Sequence, residues 1–423
     1  MRVLVVSHGH PAFSIGGAEM AAHNLFRAIR DTGGHEAWFL ARAAAPIRAH
    51  GGSPLMSLCQ GSHEVFLHNE AWDHFNLSND APDGLAGFAS WLRHVDPHVV
   101  HFHHFIGLGM EAIALVRRVV PDAAIVVTFH EYLSICIHHG QMVKRSRNTL
   151  CYGASPAECS ACFPEHDPGS VYLREQFLKN HLSLADLFVS PSHFLIDRYV
   201  RWGLPEARFR FVENGLDARP PAPPRTLPPG GRRDRFGFFG QISEFKGLHV
   251  LLDAVGRVPD AVWGDASLCI FGGNLENQPE TFRKRFGELL EAAGRRVRFF
   301  GSYRADELPR LMGQVDWTVM PSVWWENSPL VIQESFLHRR PLIVSDIGGM
   351  AEKVRDGIDG LHFRAASPED LAERMAQALS DGGLWDRLSA AAPAPSGLES
   401  FAAAHLALYE EATAARACIP QAA

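Results

Sequence analysis

Met320 to Arg340 reads MPSVWWENSPLVIQESFLHRR, and local structure, charge and chemistry converge on it. Ser328 is a good N-cap and Pro329 suits a first helical position, so the spacing predicts a short helix over Leu330 to His338 that stops at Arg339-Arg340-Pro341. The open end of such a helix attracts anions. Its free N–H groups and a partial charge of roughly half an elementary charge favour a phosphate near the amides of Leu330 and Val331. Glu326 stands just before the helix and Glu334 on its second turn. A carboxylate beside a phosphate is costly unless it accepts hydrogen bonds from hydroxyls, which sugars supply in quantity. The pair therefore suits a sugar nucleotide, with Glu326 toward the sugar and Glu334 toward the ribose. The plainer alternative is an amphipathic helix with two solvated glutamates. Against it, Pro321, Trp324 and Trp325 form an apolar shoulder ahead of Glu326, and the apolar run DWTVMPS leads directly into them. That places the segment at the carboxyl end of a strand, where open α/β sheets bind ligands.

Outward from this stretch, short apolar runs alternate with helical patterns. The runs are Val3 to Val6, Ala37 to Ala41, Val99 to Phe102, Ile125 to Phe129 and Leu187 to Ser190; the clearest helices are Met20 to Arg30, Leu85 to Val95 and Gly109 to Val120. This is the pattern of a doubly wound parallel sheet. Residues 218–233 hold six prolines without periodicity and read as a semi-rigid linker. The expected division is a first domain over 1–217, the linker, a second domain over 234–399, and a terminal helix within 400–423. A chain of 423 residues, 46% apolar and 21% charged, can bury two cores. A net charge of −7 gives no pull toward nucleic acid or anionic lipid. No apolar run reaches the roughly 18 residues of a membrane span. MRVLVVSHGHP reads as a buried first strand and not as a signal peptide, and seven unevenly spaced cysteines argue against a secreted disulfide framework. The expected location is cytoplasmic.

Glu326 and Glu334, with the flanking PS, WENSPL and SDIGGMAE, resemble the E-x7-E region of the retaining, nucleotide-sugar-dependent glycosyltransferases of family 4. The resemblance extends to the Gly16-Gly17-Ala18-Glu19 loop, His130-Glu131-Tyr132, Asn214-Gly215-Leu216-Asp217 and the loop Gly240 to Gly247. It implies two Rossmann-like domains facing a central cleft, the GT-B architecture, with a nucleoside-diphosphate sugar (UDP or GDP) on the second domain and a carbohydrate or lipid-linked acceptor on the first. It further implies hexosyl transfer with retention, no catalytic metal, and a place in surface-polysaccharide or glycolipid synthesis. Glu326, His130 and Lys246 would be catalytic. Gly16, Gly17, Gly240, Gln241, Lys246, Ser328, Pro329, Leu330, Val331 and Glu334 would hold the donor, Gly301 and Tyr303 would lie by its base, and Gly348 and Gly349 would offer backbone contacts. Gln241 stands where the family usually has Arg, which removes one charge-assisted contact to the diphosphate. That departure favours, as an alternative, an inactive sugar-nucleotide-binding subunit; a phosphorylase or epimerase of the same fold is another.

Histidines gather at strand ends, in HFHHF (His101, His103, His104) and at His130, and read as polar residues rimming a cleft. Residues 135–164 read as an irregular loop. Lys144, Arg145 and Arg147 form a basic cluster in it, either solvated or in contact with a phosphate-bearing acceptor or the membrane surface. Cys136, Cys151, Cys159 and Cys162 also lie there, and Cys159-Ser160-Ala161-Cys162 has the gap of a zinc knuckle. A structural zinc is one reading; free buried cysteines and a redox pair at Cys159 and Cys162 are the others.

Overall fold

The computed structural model describes residues 1–13, 16–43, 53–57, 63–70, 72–79, 82–217 and 219–418. The chain divides into two compact units: Met1–Asp217 with Ser396–Ala423, and Ala218–Pro395.

The first unit is built on an eight-stranded sheet. In spatial order its strands are Phe209–Phe211, Leu187–Ser190, Ala124–Thr128, Val99–Phe102, Arg2–Ser7, Glu36–Ala43, Glu64–His68 and Leu55–Met56. All neighbours pair in parallel except the last two strands. Arg2–Ser7 lies at the centre because the chain first winds outward through Glu36–Ala43 and then returns to pair Val99–Phe102 on its other side. Central strands such as Val99–Phe102 and Ala124–Thr128 are buried along their whole length, which is why they read as unbroken apolar runs without alternation. The terminal helix Leu398–Ala417 packs on helix Gly17–Asp31, and its Phe401, Ala402, Tyr409 and Ala412 join the core around Val3, Val5 and Phe26.

The second unit carries six parallel strands in the order Val297–Gly301, Ser267–Phe271, Arg235–Phe239, Trp317–Met320, Leu342–Ser345 and Gly360–Phe363. Again the winding reverses at the first strand: Ser267–Phe271 pairs one side of Arg235–Phe239 and Trp317–Met320 the other. The proline-rich segment is fastened to this unit. Arg225 bonds Asp234 (2.7 Å) and the fully buried Asp316 (2.6 Å), Arg233 reaches Asp316 from the other side (3.2 Å), and Ala222 N–H donates to His338 Nδ1 (2.9 Å). Among the described residues no helix is long and apolar enough to cross a membrane.

Residues 135–164 are not the irregular loop expected. They contain a hairpin, Val143–Lys144 paired with Thr149–Leu150, and the helix Pro156–Cys162, whose N-cap Ser155 accepts from Glu158 N–H. The predicted helix of the opening stretch runs Leu330–Leu337, and its N-cap is Pro329 instead of Ser328. Pro329 takes ψ 124°, too extended for a helical residue, while its carbonyl already accepts from Ile332 N–H (3.0 Å).

Candidate active site

In each sheet the winding reverses between two adjacent parallel strands, and the crevice at their carboxyl ends is where doubly wound folds bind ligands. In the second unit those strands are Arg235–Phe239 and Trp317–Met320. The first delivers Gly240, Gln241 and Lys246; the second delivers Pro321 to Glu326.

Glu326 is 5% exposed, a costly position for a carboxylate unless donors surround it. Three converge on Oε1: Lys246 Nζ at 2.7 Å, Ser322 Oγ at 2.7 Å and Trp324 Nε1 at 2.9 Å. Trp324 is therefore a donor to the acid and not only part of an apolar shoulder; Trp325 is the buried one. Ser322 and Trp324 precede Glu326 by four and two residues, and the sequence offered no reason beyond that nearness to assign them. The resemblance gave Lys246 and Glu326 separate tasks, whereas the fold joins them in an ion pair. Two of the three ammonium hydrogens stay available for a second anion.

Backbone geometry locks this arrangement. Gly247, with φ 68°, caps helix Leu248–Arg257, and a Cβ there would collide with the Pro321 carbonyl, so only glycine lets the lysine loop approach the glutamate loop. Gly349 N–H donates to Glu326 O (2.7 Å), and a side chain at Gly349 would strike Asn327 O. Gly348 and Gly349 thus clasp the Glu326–Asn327 backbone. Gln241 is exposed beside Gly240.

Helix Leu330–Leu337 opens with Pro329, so the amides of Leu330 and Val331 stand at its free end, next to Ser328. Glu334, one turn on, is partly exposed, yet burial of its carboxyl pushes it up to about 7, opposed by the charge of Arg219. Tyr303 faces the same carboxylate, and its phenol is raised by burial and by Glu334. Beyond lies an open cavity of about 380 Å³ lined by Gly272, Gly273, Arg283, Phe299, Gly301 and Ser302 among others. Gly301 is on its wall, and Tyr303, two residues on, packs edge-on against Phe239, ring centres 5.9 Å apart.

In the first unit the reversal lies between Arg2–Ser7 and Val99–Phe102, which deliver the loop from His8 and the histidines 103 and 104. Gly16 and Gly17 open helix Gly17–Asp31. A Cβ on Gly17 would meet open space, while one on Gly16 would meet the Glu19 carboxylate. Glu19 bonds His8 Nε2 (3.2 Å), and His8 lies against His104, ring centres 4.1 Å apart. His130 Nε2 shares a hydrogen with His103 Nδ1 (2.9 Å) in a stacked pair. Burial pushes His130 down to about 3, with His8 adding to the effect and Glu19 opposing it, so the ring is neutral. His101, His103 and His104 do not rim a cleft. All three are buried, and His101 bridges Tyr409 Oη and Thr128 Oγ1 at 2.7 Å each. The residue after His130, Glu131, is raised to about 8 by burial. Arg174 fixes the segment that follows by donating to the carbonyls of Leu133 (2.8 Å) and Ser134 (2.9 Å). Two members of the basic cluster are already paired, Lys144 with Glu158 (3.0 Å) and Arg145 with Glu165 (2.6 Å), which weakens the case for an acceptor or membrane contact there. Cys136, Cys151, Cys159 and Cys162 line one small cavity.

Two doubly wound units, each presenting polar side chains at its switch point, have the GT-B fold. The chain belongs to glycosyltransferase family 4: the model described as Glycosyltransferase Family 4 matches residues 15–219, and that described as Glycosyl transferases group 1 matches residues 233–381. Among curated relatives, a glycogen synthase of Mycobacterium tuberculosis is 26% identical over 413 residues, covering 93% of this chain and 89% of the relative. A D-inositol 3-phosphate glycosyltransferase of Corynebacterium urealyticum is 33% identical over 151 residues, 34% of each chain. Among solved structures, sucrose-phosphate synthase of Thermosynechococcus elongatus superposes with TM-score 0.73 at 17% identity, covering 98% of this chain and 99% of that one. HepE of Anabaena in complex with UDP gives TM-score 0.67 at 17% identity, covering 97% and 100%.

Proposed function

We propose that the protein transfers a hexosyl group, with retention, from a nucleoside-diphosphate sugar to a carbohydrate or lipid-linked acceptor in polysaccharide or glycolipid assembly. The observation that carries this reading is the Lys246–Glu326 ion pair at the switch point, just ahead of an open helix amino terminus that carries a second, partly exposed carboxylate, Glu334. The amides of Leu330 and Val331, with the spare hydrogens of Lys246, meet the diphosphate and stabilise its charge as it leaves; removing one such preorganised donor commonly costs about a hundredfold to a thousandfold in rate. Oε2 of Glu326 accepts from a sugar hydroxyl while Oε1 is held by its three donors. Glu334 takes the ribose, and the cavity beside Gly301 takes the base. His130, neutral, serves as a hydrogen-bond partner for sugar or acceptor hydroxyls and not as a cation. The structures of HepE with UDP and with UDP-glucose support UDP as the first nucleotide to test. The exposed Gln241 favours one second reading, a subunit that binds a sugar nucleotide without turning it over.

Incubating the protein with a panel of UDP- and GDP-sugars and following nucleoside diphosphate release tests both. Release from one donor that vanishes in Glu326→Ala is expected. Tight donor binding without release by the wild type would favour the binding subunit, and neither binding nor release with any member would overturn the proposal.

A further inference from the structure

The segment after His130 carries four cysteines and a basic cluster for which glycosyl transfer has no use. The hairpin and helix bring these cysteines together from three pieces of chain. Cys136 sits in the turn ahead of the hairpin, Cys151 directly follows its second strand, and Cys159 and Cys162 lie three apart on helix Pro156–Cys162 and so share a face. Cys151 N–H donates to Met142 O (2.7 Å), and Gly140 N–H donates to Cys136 O (3.2 Å), which ties both cysteines to the turn before the hairpin. All four side chains line one cavity of about 30 Å³, room for an ion or a water and too small for an organic ligand.

We propose that Cys136, Cys151, Cys159 and Cys162 bind one structural zinc ion that fastens the hairpin and helix behind His130. A backbone donor is already aimed at one of the sulfurs: the N–H of Arg145 at Cys162 (3.3 Å). Such donors gain most against an anionic sulfur, as around a metal-bound thiolate. Zinc displaces the four protons, and Lys144 on the same cavity wall, though paired with Glu158 (3.0 Å), stands as the cation nearest the double negative charge left on a four-thiolate site.

Closing the site requires rotation of side chains. Among the described residues the one group of metal-ligand atoms lying within 4.8 Å of one another is His10, His23 and Glu64, so the sulfurs stand further apart, and Cys151 Sγ is turned toward Gly153 O (3.1 Å). The histidine group is better explained without a metal. His10 Nδ1 accepts the Ala12 N–H (3.1 Å), which leaves its proton on Nε2, pointing at Glu64 (2.6 Å) where a ligand lone pair would be needed.

The test is elemental analysis of full-length protein made in zinc-supplemented medium and purified without chelator. About one zinc per chain is expected, lost in both Cys159→Ser and Cys136→Ser. Cobalt exchanged into the wild type should show the visible absorption of a tetrahedral thiolate site. A measurement on unaltered protein guards against misfolding of the variants: stripping the metal should make these thiols reactive and open residues 135–164 to protease. Less than about a tenth of a zinc per chain, a disulfide between Cys159 and Cys162, or zinc retained in both variants would overturn the proposal.

Discussion

Glu334 carries the most testable electrostatics of the second unit. Its carboxyl is raised from 4.5 to about 7, chiefly by burial. In the free protein the ionised form therefore carries a penalty, absent below the ordinary value of 4.5 and fully present above about 7. Glu334→Gln should stabilise the unliganded protein at about pH 8, by roughly 1–2 kcal/mol after allowing for its partial exposure. Denaturant melts at about pH 8 and pH 5 check this; equal effects at both would refute it. The same variant should bind nucleotide sugar more weakly, because a ribose hydroxyl pair wants an ionised acceptor. Wild-type affinity should rise with pH by up to about tenfold per unit until Glu334 is ionised, then level off, and Glu334→Gln should lose that slope while His130→Gln keeps it. Gln241 calls for the opposite experiment. It is exposed, so Gln241→Arg needs no repacking and should tighten UDP binding by about 1–2 kcal/mol, read by calorimetry. Unchanged affinity would mean that the loop turns this position away from the diphosphate.

At the level of elements, what was legible followed from physical strength. Strands buried on both faces, such as Val99–Phe102 and Leu187–Ser190, show as apolar runs with correct ends. Short edge strands such as Phe209–Phe211 and Leu55–Met56 gain their identity from a neighbour and have no such signature. The hairpin Val143–Leu150 has two-residue strands and no turn glycine, so residues 135–164 read as loop. The carboxylate pair, Lys246 and the helix terminus were visible as motifs. The ion pair and the buried histidines were not, because each depends on long-range winding; the donors Ser322 and Trp324 are local to Glu326, but a serine and a tryptophan carry no motif that marks them as its donors. Residues 218–233 read correctly as proline-rich but not as fastened to the second unit. Asp316, fully buried between Arg225 and Arg233, holds them there. Asp316→Ala should destabilise the protein by about 3 kcal/mol, since it removes a fully buried acceptor shared by two guanidinium groups and leaves Arg225 with Asp234 alone; a loss under about 1 kcal/mol in denaturant melts would show the cluster to be well solvated.

Across the whole molecule, one device is used twice. Each unit winds outward from its first strand, returns to the other side of it, and sets polar loops at the reversal, with Gly, His and Glu in the first unit and Gly, Lys and Glu in the second. The first unit offers neutral, buried or half-buried histidines and a carboxyl held up at about 8, groups suited to hydroxyls; the second offers an ammonium, a helix terminus and two carboxylates, suited to a phosphorylated sugar. Donor chemistry in the second unit is the central claim, and steady-state kinetics with the best donor of the panel test it most directly. Glu334→Ala should raise KM with turnover largely kept, because a ribose contact exists before and during reaction, whereas Glu326→Ala should lower kcat by about a hundredfold or more. Normal turnover in Glu326→Ala, with its folding confirmed, would contradict the assignment of the site.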